Sequence, residues 1–138
     1  KPEEKPVKTD PVQQMINETK RNYESGSLLF GSRQYEEAIN RFQKVLGVDP
    51  DFIDARLMIA SCYNELGQYD DAIREYGTAF AKDKNNAKAK EGIVNAYFNN
   101  GMKYFNKGEK SRAIKEWEKG LLMDSTSSAI REVLEKFR

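Results

Sequence analysis

Apolar and small side chains recur along this chain at helical spacing, and one set of positions repeats after 34 residues. Intervals of three and four residues place each set on a single stripe of an α-helix. The chain is therefore predicted to be an array of helical units. The first copy of the set is Tyr35, Ala38, Phe42, Val45 and Asp49, and the second is Tyr69, Ala72, Tyr76, Ala79 and Asp83.

A third copy follows the second after 41 residues, which is the same period with seven residues added. Seven residues are almost two turns of α-helix, so an insertion of this length prolongs a helix and keeps its faces in register. We place the added residues at 87–93, before the first helix of the third unit, and expect that long helix to project beyond its neighbours. The third copy is Lys110, Ala113, Trp117, Gly120 and Asp124.

Start and stop signals divide the chain into seven predicted helices, and the predicted fold is all-α. Asp10 before Pro11 suits a helix start, and Gly67 suits a helix end because glycine accepts the left-handed conformation. Residues 1–9, rich in Lys, Pro and Glu, are predicted to form a disordered linker, and residues 10–138 a single domain. The predicted helices span about 11–32, 35–47, 52–66, 69–82, 87–106, 110–123 and 128–137.

The first and last helices are expected to close the two ends of the array. The first helix begins about two turns before a standard unit would, and these early residues are expected to cover an apolar face that would otherwise meet water. The last helix has an apolar side and a charged side, which is typical of a solvating end helix. Its apolar side consists of Ile130, Val133, Leu134 and Phe137.

A 34-residue unit of two helices resembles the tetratricopeptide repeat, whose second helix has the pattern Ala-x-x-x-Phe followed by Pro. The segments "YEEAINRFQKVLGVDP", "YDDAIREYGTAFAKD" and "RAIKEWEKGLLMD" match that helix, and "IASCY" and "NGMKY" match the first helix more loosely. The resemblance implies an α-solenoid of antiparallel helix pairs that forms a right-handed superhelix. It divides the chain into repeats at about 19–52, 53–86 and 87–127, followed by a closing helix at 128–138.

Composition and charge narrow the range of partners. With 38% hydrophobic and 33% charged residues the chain has the composition of a soluble domain, and no apolar run approaches the length of a membrane span. A net charge of +1 gives no electrostatic basis for binding nucleic acid or an anionic membrane. The compartment stays open between the cytoplasm and an exported or membrane-tethered bacterial protein that lacks its N-terminal segment, the second being favoured.

The sequence offers little chemistry, and we predict a protein that is not an enzyme and has no cofactor or metal. It contains no His, and its single Cys62 suits a small packing residue better than a reactive thiol. The usual glycine-rich nucleotide-binding motifs and the serine-hydrolase motif are absent. The carboxylate pairs at residues 36–37 and 70–71 lie in first helical turns, where the helix dipole stabilises negative charge.

The resemblance to tetratricopeptide repeats also implies a concave groove lined by the first helix of each repeat. Phe98, Met102 and Phe105 form one side of the fifth helix and alternate with asparagines that can bond the backbone of a peptide. These apolar side chains could instead pack against the second repeat or the closing helix. The predicted groove residues are Tyr23, Ser27, Phe30, Leu57, Met58, Ser61, Asn64, Glu65, Asn95, Phe98, Asn99, Met102, Phe105 and Asn106.

Some repeats of this family hold the C-terminal carboxylate of heat-shock chaperones with Lys, Arg and Asn side chains. Those positions fall here on Tyr23, Ser27, Met58, Asn95 and Asn99, so the carboxylate clamp is absent. Nearby lysines still allow an acidic peptide as a ligand. The favoured function is a protein-binding module or scaffold that takes a peptide or helix in the groove. The alternative is a structural or self-assembling subunit of a larger complex, in a bacterial envelope for example, with the long helices in contact with other copies.

Overall fold

The structure, a computed structural model, describes residues 2–4 and 10–138 and contains seven α-helices and no strand over that part of the chain. The predicted helices are confirmed, and four of them have the predicted bounds. The linker predicted for residues 1–9 lies largely outside the described residues, and residues 2–4 are exposed without regular secondary structure. The helices are α1 (Pro11–Gly31), α2 (Tyr35–Val48), α3 (Ile53–Glu65), α4 (Tyr69–Lys82), α5 (Ala87–Asn106), α6 (Lys110–Met123) and α7 (Ser128–Phe137).

The helices stack as successive antiparallel pairs in an α-solenoid. Each helix packs against the next along the chain, and α1 also contacts α3, as α3 contacts α5. No comparable contact joins α2 to α4 or α4 to α6 among the described residues. The odd-numbered helices therefore form the inner layer of a curved stack, and α2, α4 and α6 form the outer layer.

In the first and third repeats, an aromatic side chain of the outer helix lies against a glycine of the preceding inner helix. Phe42 packs on Gly26, and a Cβ atom built at Gly26 would lie 2.8 Å from Phe42 Cε1. Trp117 packs on Gly101 in the same way, and a Cβ there would lie 2.2 Å from Trp117 Nε1. Such close packing leaves no room for a larger side chain at either glycine, so these contacts fix how each pair of helices meets.

The first half of α5 packs on the second repeat in the regular 34-residue register. Its buried residues contact the core formed by α3 and α4, as the equivalent residues of α3 contact the core formed by α1 and α2. Residues 87–93, which the sequence predicts to be the projecting part, therefore belong to the regular stack. The α5 residues in this core are Ala89, Ile93 and Ala96, and their equivalents in α3 are Ala55, Ile59 and Cys62.

The second half of α5 packs against α6 as α3 packs against α4, but 41 residues later instead of 34. The Gly101–Trp117 contact lies 41 residues after the equivalent pair Ala60 and Tyr76. Near the end of α3, the Nζ atom of Lys103 is 3.3 Å from the carbonyl oxygen of Gly67, so the rest of α5 reaches past α3. One helix thus satisfies both registers, because seven residues make nearly two full turns.

The start of α1 does not cover an apolar end of the array, and that prediction is wrong. Asp10 caps the helix as predicted, with its side chain accepting a hydrogen bond from the backbone N–H of Val12 over 3.0 Å. The exposed fractions of Val12, Met15 and Ile16 are 56%, 46% and 52%. The first two turns of α1 extend beyond the end of α2 and leave their own apolar side open.

The turn between the two helices of each repeat needs one residue in the left-handed conformation. Gly67 and Gly108 fill this position with φ angles of 74° and 83°. Arg33 occupies the equivalent position in the first repeat, with φ at 62°, although it has a Cβ atom. A non-glycine residue in this region is strained by roughly 1 kcal/mol or more.

Replacing Arg33 by glycine should therefore raise the free energy of unfolding by about 0.5–1 kcal/mol, because the strain is removed and part of the gain is lost to unfolded-chain entropy. The reverse change, Gly67→Ala, should lower it by a similar amount, since a Cβ at Gly67 meets no atom within 4 Å and only the backbone is affected. Urea denaturation followed by circular dichroism measures both. Equal stabilities for the Arg33→Gly variant and the parent chain would show that this turn is unstrained.

Candidate functional site

The inner layer carries a side-chain contact between the asparagines of neighbouring repeats. Asn99 of α5 donates a hydrogen bond from Nδ2 to Oδ1 of Asn64 in α3, over 3.4 Å. Both residues were predicted to lie in the groove, and the structure brings them together. Their amides are half-buried, so this stretch of the inner surface presents polar groups that can also bond a peptide backbone.

A shallow pocket of about 570 Å³ opens beside Asn99, between the end of α3 and the second half of α5. We call it the inner-face pocket. Three of its residues, Asn99, Met102 and Asn106, were predicted to line the groove. Its complete lining is Leu66, Gly67, Tyr69, Asn99, Met102, Lys103, Asn106 and Lys107.

Two lysines give the inner-face pocket a positive charge that sequence reasoning missed. The Nζ atom of Lys103 lies 5.9 Å from the centre of the Tyr69 ring, and it also reaches the Gly67 carbonyl. Lys107 follows at the exposed end of α5. The spacing of four residues between these lysines on a helix was the signal, because it places both on one face.

Leu57 does not line the groove, and the prediction for this residue is wrong. It is 8% exposed and belongs to the core between α3, α4 and α5. It shares this core with Ala89 and Ile93 of the next inner helix. An apolar residue on this side of an inner helix is therefore a packing residue.

The predicted aromatic stripe of α5 packs against α6 and against α7, and α7 is the closing helix that the alternative to a groove named. The ring of Phe105 lies 6.0 Å from that of Trp117 and 4.3 Å from that of Phe137. Phe98 packs against the same core, and its carbonyl oxygen accepts a hydrogen bond from Trp117 Nε1 over 3.1 Å. Met102 is half-buried at the border between this core and the inner-face pocket.

The groove residues predicted in the first repeat are occupied by contacts within the domain. The ring of Tyr23 lies 5.6 Å from that of Phe42, and the Phe30 ring lies 5.5 Å from that of Tyr35. The hydroxyl of Ser27 donates to the carbonyl oxygen of Tyr23 over 3.0 Å. These side chains stabilise α1 and its junctions, and the structure does not bring them to the inner-face pocket.

The remaining predicted residues are dispersed over the inner surface. Ser61 shares a hydrogen bond of 2.9 Å with the hydroxyl of Tyr76, which ties α3 to α4. Met58 is half-buried and Glu65 is exposed. Asn95 lies in a different pocket, of about 410 Å³, between the start of α5 and the turn that precedes α7.

Asn100 is a buried polar residue that sequence reasoning did not single out. It is 3% exposed, and its Nδ2 atom donates to Asp70 Oδ1 over 2.9 Å and to Glu116 Oε2 over 3.0 Å. A hydrogen-bonded amide at this depth links three helices and needs no ligand to satisfy it. The available sequence signal was that Asn100 is a polar residue at a position of α5 that is otherwise lined by small and apolar residues.

The described residues hold no cluster suited to a metal ion, and the single cysteine is not an activated nucleophile. No cluster of three or more potential ligands is found among them. Burial is the main cause that raises the pKa of the Cys62 thiol from 9.0 to about 12, and the charge of Glu65 adds to it. Because the thiolate is the reactive form, this cysteine is a packing residue at neutral pH. None of the helices formed by residues 10–138 has the length and apolar character required to cross a membrane.

Comparison with known proteins defines the family. Tetratricopeptide repeat models match residues 29–91 and 65–130, which together span most of the chain. The chain therefore belongs to the tetratricopeptide repeat family, whose fold serves protein interaction.

Solved structures of tetratricopeptide domains share this fold. The first domain of Spaghetti (RPAP3), bound to the HSP90 peptide SRMEEVD, matches with a TM-score of 0.59 and 24% identity over 88% of this chain and 90% of that chain. The second domain of human RPAP3, in complex with the HSP70 peptide SGPTIEEVD, has a TM-score of 0.56 and 22% identity over 93% and 98%. The N-terminal domain of stress-induced protein-1 from C. elegans has a TM-score of 0.59 and 16% identity over 92% and 98%.

Proposed function

We propose that this protein is a protein-interaction module that binds an extended, acidic peptide segment of its partner in the inner-face pocket. The observation that carries the proposal is the convergence of three kinds of group in one open pocket. The Asn99 and Asn106 amides can bond a peptide backbone, Met102 offers an apolar contact, and Lys103 supplies a positive charge. This combination suits a peptide that carries a carboxylate beside an apolar side chain.

The peptides bound by two similar domains support a peptide ligand, since SRMEEVD and SGPTIEEVD are both acidic at their C-terminal ends. The positions of the chaperone carboxylate clamp hold no Lys or Arg here, whereas Lys103 and Lys107 lie in the inner-face pocket. We therefore expect a ligand recognised through acidic side chains at this pocket, with the chaperone C-terminus bound weakly.

The test begins with selection of binders from a random peptide library on the immobilised protein, followed by affinity measurements on the selected peptides. Lys103→Glu should weaken binding at least about tenfold, because it reverses the charge that faces the ligand. Asn99→Ala should weaken it by a similar factor through loss of an amide partner. The matched control is Lys115→Glu on α6, an exposed lysine outside the pocket, which should change affinity less than about twofold.

Two results would contradict the proposal. The first is a selected set without acidic residues, and the second is an affinity that Lys103→Glu and Lys115→Glu change equally. Circular dichroism of each variant separates loss of binding from loss of fold. A fall in affinity with rising salt that is smaller in Lys103→Glu than in the parent chain would further support a contact between charges.

A further inference from the structure

Asn100 and Gly101 form a chemically labile pair inside α5. An asparagine that is followed by glycine loses its side-chain amide more readily than other asparagines, because glycine has no Cβ atom and its backbone nitrogen is free to attack. Asn100 is the only asparagine of the chain that precedes a glycine. The asparagine that is most reactive by sequence is therefore one that the fold buries.

Packing fixes both members of this pair. A Cβ atom at Gly101 would lie 2.2 Å from Trp117 Nε1, so no larger residue fits there. The Nδ2 atom of Asn100 is the shared donor to Asp70 of α4 and Glu116 of α6, over 2.9 Å and 3.0 Å. Neither residue can be exchanged without loss of a contact that holds α6 in place.

The reaction is an intramolecular displacement, and water is its only co-reactant. The backbone nitrogen of Gly101 bonds to the side-chain carbonyl carbon of Asn100, and the bond from that carbon to the side-chain nitrogen breaks. The amide proton of Gly101 leaves with this nitrogen as ammonia, and a five-membered imide remains. Water then opens the ring at one of its two carbonyls. One opening gives aspartate, and the other gives isoaspartate, whose backbone has an extra methylene.

The closed helix blocks this reaction. Gly101 lies in the interior of α5, where its N–H is bonded to the carbonyl four residues earlier. The five-membered ring also needs a ψ angle at Asn100 far from the helical value of about −42°. The Asn100 amide is held by two carboxylates and is only 3% exposed, so water has little access. Attack therefore requires the second half of α5 to open.

The product does not fit the closed helix. An aspartate at residue 100 has an oxygen where Nδ2 now donates, and this oxygen would face the carboxylates of Asp70 and Glu116. Three carboxylates at hydrogen-bond distance repel one another, and none of them supplies the missing donor. Lys119 lies 3.0 Å from Glu116 and so balances one of the three charges. Isoaspartate also interrupts the helix, because its extra methylene shifts the backbone groups that follow.

We propose that Asn100 is a latent deamidation site that reacts only when the second half of α5 opens. The closed helix protects the side chain, and each opening exposes it to a reaction that refolding cannot reverse. The aspartate or isoaspartate that forms prevents α6 from packing back on α5, so the third repeat stays open. Neither the protection nor the reaction depends on what the inner-face pocket binds.

Incubation of the whole chain at neutral pH, folded and in guanidinium chloride, tests the protection. Peptide mass spectrometry follows the conversion of Asn100, with Asn95 and Asn99 as internal references. Residue 100 should deamidate at least about 100-fold faster in the unfolded chain, because core helices open with free energies that approach that of global unfolding. Equal rates in the two states would overturn the proposal, as would an Asn100 that reacts no faster than Asn99 in the denaturant.

Refolding of chains aged in the denaturant tests the consequence. Trp117 is the only tryptophan, and its fluorescence reports whether the third repeat closes because the indole is buried against Gly101. After dilution, the fraction of chains with buried tryptophan emission should equal the fraction that still carries Asn100. Full recovery of this emission by deamidated chains would contradict the proposal.

Asn100→Asp reproduces one product without ageing. It should lower the equilibrium constant for folding at least about tenfold. Adding Glu116→Gln should recover part of this loss, because it removes one carboxylate and supplies an amide donor. The matched control is Asn95→Asp, at an exposed residue of the same helix, which should change the constant less than about twofold. Equal effects at residues 95 and 100, or no recovery in the double variant, would show that the product is tolerated or harmful for another reason, and either result overturns the proposal.

Discussion

Replacing Ala72 by arginine should lower the free energy of unfolding by about 4 kcal/mol or more, because a long charged side chain would enter a site with no free space. Ala72 has no exposed surface and lies where α4 meets α3, in the core that contains Leu57 and Tyr76. An arginine there must either displace both helices or remain buried without a carboxylate partner. Urea denaturation followed by circular dichroism measures the loss, which is large enough to leave the variant partly unfolded at 25 °C.

The matched control for this change is Ala81→Arg in the same helix. Ala81 is exposed, so the substitution adds the same side chain to α4 without burying it. Its free energy of unfolding should lie within about 0.5 kcal/mol of the parent value. Equal effects at the two positions would mean that α4 does not present Ala72 to α3, and the repeat register would then have to be revised.

Trp117→Ala should lower the free energy of unfolding by about 3–5 kcal/mol, the range for removing a fully buried large aromatic side chain. Trp117 has no exposed surface, and its indole packs against Gly101 as well as against the rings of Phe105 and Phe137. The variant also loses the hydrogen bond from the indole to the carbonyl of Phe98. Because Gly101 has no side chain that could move into the space, the cavity cannot close by local rearrangement.

Leu122→Ala provides the comparison for Trp117→Ala. Leu122 lies on the same helix with 88% of its surface exposed, so its truncation creates no cavity. We expect a change within about 0.5 kcal/mol. Since Trp117 is the only tryptophan, unfolding of its variant has to be followed by circular dichroism. A loss below about 1 kcal/mol would show that α6 and α7 repack without the indole.

The helices could be predicted from the sequence because their signals are local. Apolar residues at intervals of three and four, Gly67 and Gly108 at turns, and Asp49 before Pro50 act within a few residues of the element that they define. The helices α4 to α7 begin and end where they were predicted. The seven-residue difference between repeats also predicted the length of α5, since an insertion of nearly two turns leaves the helix intact.

The candidate site was harder to predict, because it depends on which helix covers which side chain. Leu57 and Phe98 occupy equivalent positions. Leu57 belongs to the core that α5 shares, and Phe98 packs against the core that includes residues of α6 and α7. The family pattern identifies both as residues of an inner helix, but it does not show that Leu57 is buried and Phe98 half-buried. The spacing of Lys103 and Lys107 places both lysines on one face of α5, but that face lines the pocket only because α5 reaches past α3, a relation between distant residues that no local pattern shows.

The exposed apolar side at the start of α1 was missed for a related reason. Asp10 and Pro11 show that the helix begins two turns early, but they do not show whether another element covers those turns. The expectation that Val12 and Ile16 cover the array assumed a surface within the same chain. In the structure α2 ends at Val48, and the stripe of α1 continues beyond it with no element of the same chain against it in the described residues.

Because α5 packs on α3 and α4 in one register and on α6 in another, the third repeat is offset from the second along the α5 axis. Seven extra residues lengthen a helix by about 10 Å, so α6 and α7 sit that much further along α5 than the regular repeat would place them. An extended peptide advances about 3.3 Å per residue, which makes the offset equal to roughly three residues of ligand. A partner that contacts equivalent positions of the second and third repeats must therefore carry a spacer of about that length.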